Sequence, residues 1–286
     1  MSILEKAFLK AMSLEGEDAN PEQITNNKRT DSSQKDAALD RLDVKLDKPR
    51  AVEAHDIVNS RQGISQMSEV KRFTTEQLNE KRLIHTSMKD KQLLDRYRNI
   101  RTKLLAGSNK QNFVTLVTSV KSSKSQGLIA GNLAATFSLD EAKTSMLIEA
   151  DISNPSLNSL FEMNDNKGLI DYLESDNWES NEVLQKTGIP RLRFVPSGLH
   201  RENSAEYFTS SKMSEFVNEL LNRYPDRYPI INSPCVINSA DTRILIELCE
   251  KIILVVPYGK CSDEEIMQAA LAIGEKKLAG VILDGF

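Results

Sequence analysis

The 286-residue chain predicts an α/β fold built on a doubly wound, mainly parallel sheet, preceded by an N-terminal helix and a disordered tether. Three observations carry this expectation. From about His85 onward, apolar runs of strand length alternate with amphipathic stretches, the pattern of right-handed crossovers. Several of those runs are continuously apolar, as strands covered on both faces require. Residues 13 to about 65, by contrast, are dominated by Asp, Glu, Lys, Asn, Ser and Gln, and cannot bury enough surface to offset chain entropy.

Taken in order, residues 2–12 place Ile3, Leu4, Ala7, Phe8 and Ala11 on one helical stripe, with Glu5, Lys6 and Lys10 elsewhere. A helix this short is marginal alone, so residues 1–12 read as an amphipathic helix that docks on a partner protein. Residues 13–84 read as a flexible linker, and 85–286 as the folded domain. Strands are expected at Phe113–Ser119, Ser145–Asp151, Leu192–Pro196, Tyr228–Pro234, Ile252–Tyr258 and Ala279–Leu283. Helices are expected at Leu128–Phe137, Ser204–Tyr224, Ala240–Glu250 and Asp263–Gly274. Such sheets bind ligands at the carboxyl ends of their strands. Three of those ends, at Ser119, in IEADISNPSL and in IINSPCVINSAD, should converge on one crevice.

Composition narrows the function classes. A net charge of -4 gives no basic field for nucleic acid. Cys235, Cys249 and Cys261 are scattered and odd in number, which fits neither a disulfide framework nor a close-spaced zinc site, and points to a reducing cytoplasm. His55, His85 and His200 have no metal-ligand spacing, so no metal site is expected. No apolar run is long enough to span a membrane, and the N-terminus is too charged for a signal peptide. Any membrane association therefore goes through a partner or a surface-lying helix.

The segment QNFVTLVTSVKSSKSQGLIAGNLAATF, 111–137, has the outline of a phosphate-binding strand, loop and helix. A P-loop reads G-x-x-x-x-G-K-[ST]: glycines let backbone N–H groups face the phosphates, the Lys neutralises them, and the hydroxyl binds Mg²⁺. Here the loop is serine-rich instead. Lys121 or Lys124 could reach a phosphate from outside, and the helix N-terminus attracts anions through its free N–H groups.

In order along the chain come DRYRNIRTKLL (95–105), GNLA (131–134), EADISNPSL (149–157), GLIDYL (168–173), VPSG (195–198), RYPDRYPIINSPCVINSADTRIL (223–245) and VVPYGKCS (255–262). Together they resemble the bacterial tyrosine autokinases of exopolysaccharide export, the polysaccharide co-polymerase ATPase family with a P-loop NTPase-like fold. The similarity is strongest to its exosortase-linked branch, whose members begin with a similar MSI-x-E-x-A and carry RYPDR. The resemblance implies ATP and Mg²⁺ as cofactors of an active member, and it implies where their ligands would be. Aligned on GNLA, Gln126 stands at the P-loop Lys, Ser123 and Ser125 at its glycines, and Gly127 at the Mg²⁺ hydroxyl. In the second motif Glu149 replaces the first Asp of D-A-D, Asp151 keeps the second, and Ser153 and Asn154 replace arginines. In the third, Asn232 replaces the Asp of D-[ST]-P-P. A register shifted by two, reading Ser123-Lys124-Ser125 as G-K-S, would turn GNLA about 200° from its packing face.

The resemblance also implies a subunit contact through E-x-x-R-x-x-R, matched by Asp95, Arg98 and Arg101 on roughly one helix face. Asp241 matches a family acidic position, although a helix N-cap explains it as readily. The family's tail of clustered tyrosines is unmatched: Tyr97, Tyr172, Tyr207, Tyr224, Tyr228 and Tyr258 are dispersed. The expectation is a pseudo-kinase with no catalytic residues and no cofactor, the positions Gln126, Glu149 and Asn232 being degenerate. Residual nucleotide binding would fall to Lys121, Lys124, Ser125, Gly127 and Asp151. Such a protein would act in assembly or regulation of exopolysaccharide secretion, cytoplasmic and peripheral to the inner membrane. Its partner would be an inner-membrane co-polymerase or an intact kinase paralogue, in a homo- or hetero-oligomer. The alternatives are a divergent active ATPase or tyrosine kinase, and a MinD- or ParA-like positioning protein.

Overall fold

The computed structural model describes residues 72–285 apart from 109–110, 164–166 and 201–203, together with Ile64 and Met67. The expected docking helix, with Ile3, Leu4, Ala7, Phe8 and Ala11, and the tether as far as residue 71 lie outside these residues, Ile64 and Met67 apart.

The described chain begins earlier in the fold than composition suggested. Thr75–Glu80 form helix α1, closed by a capping box between Thr74 and Gln77. Phe73 donates its amide to Gly188 O, and Leu83 and Ile84 are buried at 1% exposure each. The linker read over 13–84 therefore stops short of Phe73. The few apolar residues of 73–84 are enough because each finds a partner in the domain core.

The remaining elements are α2 (Lys91–Ala106), β1 (Thr115–Ser119), α3 (Gln126–Ser138), β2 (Thr144–Glu149), α4 (Ser156–Leu160), α5 (Leu169–Glu174), β3 (Gln185–Lys186), β4 (Leu192–Val195), α6 (Ser204–Phe208), α7 (Ser211–Arg223), β5 (Arg227–Asn232), α8 (Ala240–Glu247), β6 (Lys251–Pro257), α9 (Asp263–Ile273) and β7 (Leu278–Asp284). Among the described residues they build a seven-stranded sheet in the order β3-β4-β2-β5-β1-β6-β7. All pairings are parallel except the short antiparallel β3–β4 edge. The helix expected over Ser204–Tyr224 is two helices, because Ser210 breaks the run and caps α7 with its hydroxyl on Met213 N.

Each face of the sheet carries its own apolar layer. Met146, Ile148, Ile231 and Leu254 pack under α7, α8 and α9, while Leu147, Ile230, Ile253 and Val255 pack under α2 and α3. Helix α3 is buried along almost its whole length, which is why its sequence is apolar on nearly every side. Within it Gly131 admits α4, since a Cβ there would lie 3.0 Å from Leu160 Cδ2. Asn132 accepts from Ile84 N at 2.8 Å and donates to Arg82 O at 3.0 Å, tying the α1–α2 connection to α3.

At the amino end of the strands, Phe137 stacks on Tyr228 at 4.8 Å, with Phe113 edge-on to both. Truncation of a fully buried ring leaves a cavity as well as losing transfer energy. Phe137→Ala should lower the unfolding free energy by about 3–5 kcal/mol in urea titrations; a loss below about 1 kcal/mol would mean that this aromatic cluster contributes little to stability.

Candidate functional site

The carboxyl ends of β1, β2 and β5 meet under the head of α3. Strand register brings Glu149 and Asn232, the last residues of β2 and β5, side by side. Asn232 is also opposite Val117 of β1. Asn232 Nδ2 donates to Glu149 Oε1 at 2.7 Å, and Gln126 Nε2, from the first residue of α3, donates to Asn232 Oδ1 at 2.9 Å. Gln126 also donates to Val117 O at 3.3 Å and to Ser233 O. The structure thus brings together three residues that stand 106 positions apart at the extremes and makes them one hydrogen-bonded chain.

Glu149 closes that chain. Besides Asn232 it accepts from Asp151 N at 3.2 Å and from Leu157 N, in the first turn of α4, at 3.0 Å. Its side chain is completely buried, and burial pushes its carboxyl from the ordinary 4.5 up to about 8, against the pull of these three N–H donors. Asp151, next along, is half-buried; burial and then the nearby Asp241 raise its pKa, while Asn154 N donates to it.

The loop before α3 is held by its own chain. Ser123 and Ser125 both donate to Asp284 at the end of β7, Ser123 at 2.8 Å. Lys121 lies 2.8 Å from Glu265 of α9 and donates to Lys260 O at 3.1 Å, so its ammonium is directed away from the head of α3. Lys124 is exposed. Gly127 is buried, and a Cβ on it would collide with Ser156 Oγ at the start of α4. Of the five residues expected to hold a nucleotide, only Gly127 is buried at the helix head; Lys121 and Ser125 are engaged with α9 and β7.

Two further expectations are corrected. Arg101 is not on an outward face with Arg98: three residues advance a helix by 300°, so Asp95 and Arg101 are some 120° apart. Arg101 donates to Thr136 O at 2.8 Å in the last turn of α3, whereas Asp95 and Arg98 stay exposed and 3.5 Å from each other. The N-cap of α8 is Ser239, which accepts from Thr242 N, and Asp241 accepts instead from Ser204 of α6. The sequence reading also passed over Ser156 and Asp284. A serine after Pro155 at a helix start and an acid at a strand end were the available signals.

No family profile matches this chain. Residues equal to 67% of it align with 80% of the tyrosine-protein kinase YwqD of Bacillus subtilis, 29% identical over 194 residues. The tyrosine-protein kinase CpsD of Streptococcus agalactiae is 27% identical over 180 residues, 62% of this chain and 76% of that protein. Its homologues are bacterial tyrosine kinases. The succinoglycan biosynthesis transport protein ExoP of Rhizobium meliloti is a larger relative, 26% identical over 189 residues, of which the match spans 23%. In fold, the kinase domain of the Escherichia coli tyrosine kinase ETK superposes with a TM-score of 0.62 at 20% identity, over 75% of this chain and 87% of that one. The chimerical protein CapA2B2 gives the same TM-score at 20% identity, over 79% and 97%. The chain thus shares its α/β fold, with a mostly parallel sheet, with both of these proteins. Among the described residues no helix is long and apolar enough to cross a membrane.

The burial of Glu149 sets a pH dependence. An unfolded chain loses this proton near the ordinary value, while the folded chain keeps it until about 8. Stability should therefore fall as pH rises from 4.5 to 8 by as much as about 1.4 kcal/mol per unit, and level off above. Glu149→Gln removes this term, so its stability relative to the parent should improve by a few kcal/mol between pH 5 and pH 8 in parallel thermal melts. A difference independent of pH would show that Glu149 is held ionised by its N–H donors.

Proposed function

We propose that this chain is a catalytically inactive relative of the capsule and exopolysaccharide tyrosine kinases, serving in the assembly or regulation of exopolysaccharide production. The observation that carries this reading is the Gln126–Asn232–Glu149 chain beneath α3. A P-loop kinase needs at the head of this helix a lysine ammonium for the β and γ phosphates and a hydroxyl and carboxylate for Mg²⁺. Gln126 offers a neutral amide whose nitrogen is shared among three oxygens of β1, β5 and the segment after it. Gly127 has no hydroxyl, and Ser156 takes the space that one would need. Asn232 is an amide, and Glu149 is enclosed and bonded on both oxygens. These residues do not fit a Mg²⁺–nucleotide.

The role in polysaccharide production rests on the relatives: tyrosine-protein kinases matched over 80% and 76% of their length, and a succinoglycan biosynthesis transport protein that contains a matching segment. Residues 1–12 supply the docking helix of this reading, and 13–71 its tether. The partner is an inner-membrane co-polymerase or an intact kinase of the same family, with this chain peripheral to the membrane.

Two measurements test the reading. ATP turnover and autophosphorylation of the full chain with Mg²⁺ should lie more than about a hundredfold below the 1–100 s⁻¹ typical of kinases. Turnover in that range, or labelling of its own tyrosines, would establish the alternative of a divergent active kinase. Gln126→Lys with Asn232→Asp, run beside it, reports whether the site can be restored. Deletion of residues 1–12 should abolish co-purification with the export machinery and leave the melting temperature unchanged; recruitment that survives the deletion removes the docking role.

A further inference from the structure

Strand β7 is the outer strand of the sheet and pairs, among the described residues, only with β6. Its sequence LAGVILD has no Pro, Lys or Arg, the residues that usually blunt a free edge. Side chains alternate along it: Ile282 packs toward α2 and α3, while Val281 and Leu283, opposite Leu254 and Val256, face the α9 side. Helix α9 leaves them uncovered, at 38% and 55% exposure. Leu271 of α9 is 49% exposed as well. An edge with free backbone donors and acceptors beside apolar side chains is a template for another strand.

The charges flanking this edge indicate what that strand is. Helix α9 begins with the exposed Asp263, at the carboxyl end of the sheet, and Lys276 is exposed in the turn that follows it, at the opposite end. A two-fold axis perpendicular to the sheet would pair β7 antiparallel with its own copy and set each acidic helix head beside the partner's lysine turn. With the axis at Val281, the small Ala279 faces the partner's Leu283 and each Val281 faces its equivalent. This is the self-complementarity an isologous contact requires. We propose that β7 is the interface of a homodimer in which the two sheets join edge to edge, closed by Asp263–Lys276 pairs between α9 and the partner's turn.

The test is sedimentation of the full chain across a concentration series. The expected result is a monomer–dimer equilibrium that weakens with salt, and that Val281→Lys or Leu283→Lys weakens by roughly tenfold or more. Both positions are exposed, and circular dichroism with melting temperature checks that the fold is kept. Lys276→Glu, which does not touch the strand, should weaken the dimer, and adding Asp263→Lys to the same chain should restore it. A chain that stays monomeric throughout, leaving the edge to some other occupant, overturns the proposal. So does a dimer indifferent to the lysine substitutions, or one that the charge reversal fails to restore.

Discussion

The parallel pairing of β2 with β5 is the constraint on which the site depends. Because that register ends both strands at the same level, Glu149 and Asn232 become neighbours, and the amide of Asn232 is within reach of Gln126 from the helix above. Asn232 is the link: loss of Gln126 or of Glu149 would leave one buried amide atom of Asn232 without its partner, at a cost of about 1–3 kcal/mol. The head of α3, the ends of three strands and the start of α4 are thus joined by one polar chain inside an apolar domain. The same feature that stabilises the crevice fills it.

The loop between β1 and α3 shows a second side of this closure. In a phosphate-binding loop the backbone N–H groups and a lysine converge on an anion. Here the side chains of the loop diverge: the two serines to Asp284, Lys121 to Glu265, and Gln126 downward to the strand ends. The serines, Lys121 and Gln126 take partners from β7, α9 and β5 respectively, so the protein's own groups hold the loop from three sides.

Much of the fold was legible because the strands are apolar runs with no competing pattern, and the helices between them, the fully buried α3 apart, have clear period. Gln126, Glu149 and Asn232 could be picked out because, in the resemblance drawn from the sequence, each stands at a motif position where a different residue type is expected. What was not legible depended on three-dimensional neighbours. Nothing local marks Ser156 as the residue that crowds Gly127, or Asp284 as the acceptor for a loop some 160 positions earlier. Arg101 looked like a surface residue because spacing gives a face only approximately, and 120° of drift was enough to turn it onto the end of α3. Residues 73–84 looked like tether because composition averages over a window, whereas Leu83 and Ile84 act singly.

The amide of Phe73 bonded to Gly188 fixes where the chain enters the domain. Gly188 lies in the turn between β3 and β4, at one rim of the sheet, and β7 forms the other rim. Six strand spacings separate the rims, roughly 30 Å. Anything bound through residues ahead of the domain and anything seated on β7 would therefore occupy opposite sides without competing for space. Two attachments on opposite rims of one rigid domain would reinforce each other, since the first sets the effective concentration for the second.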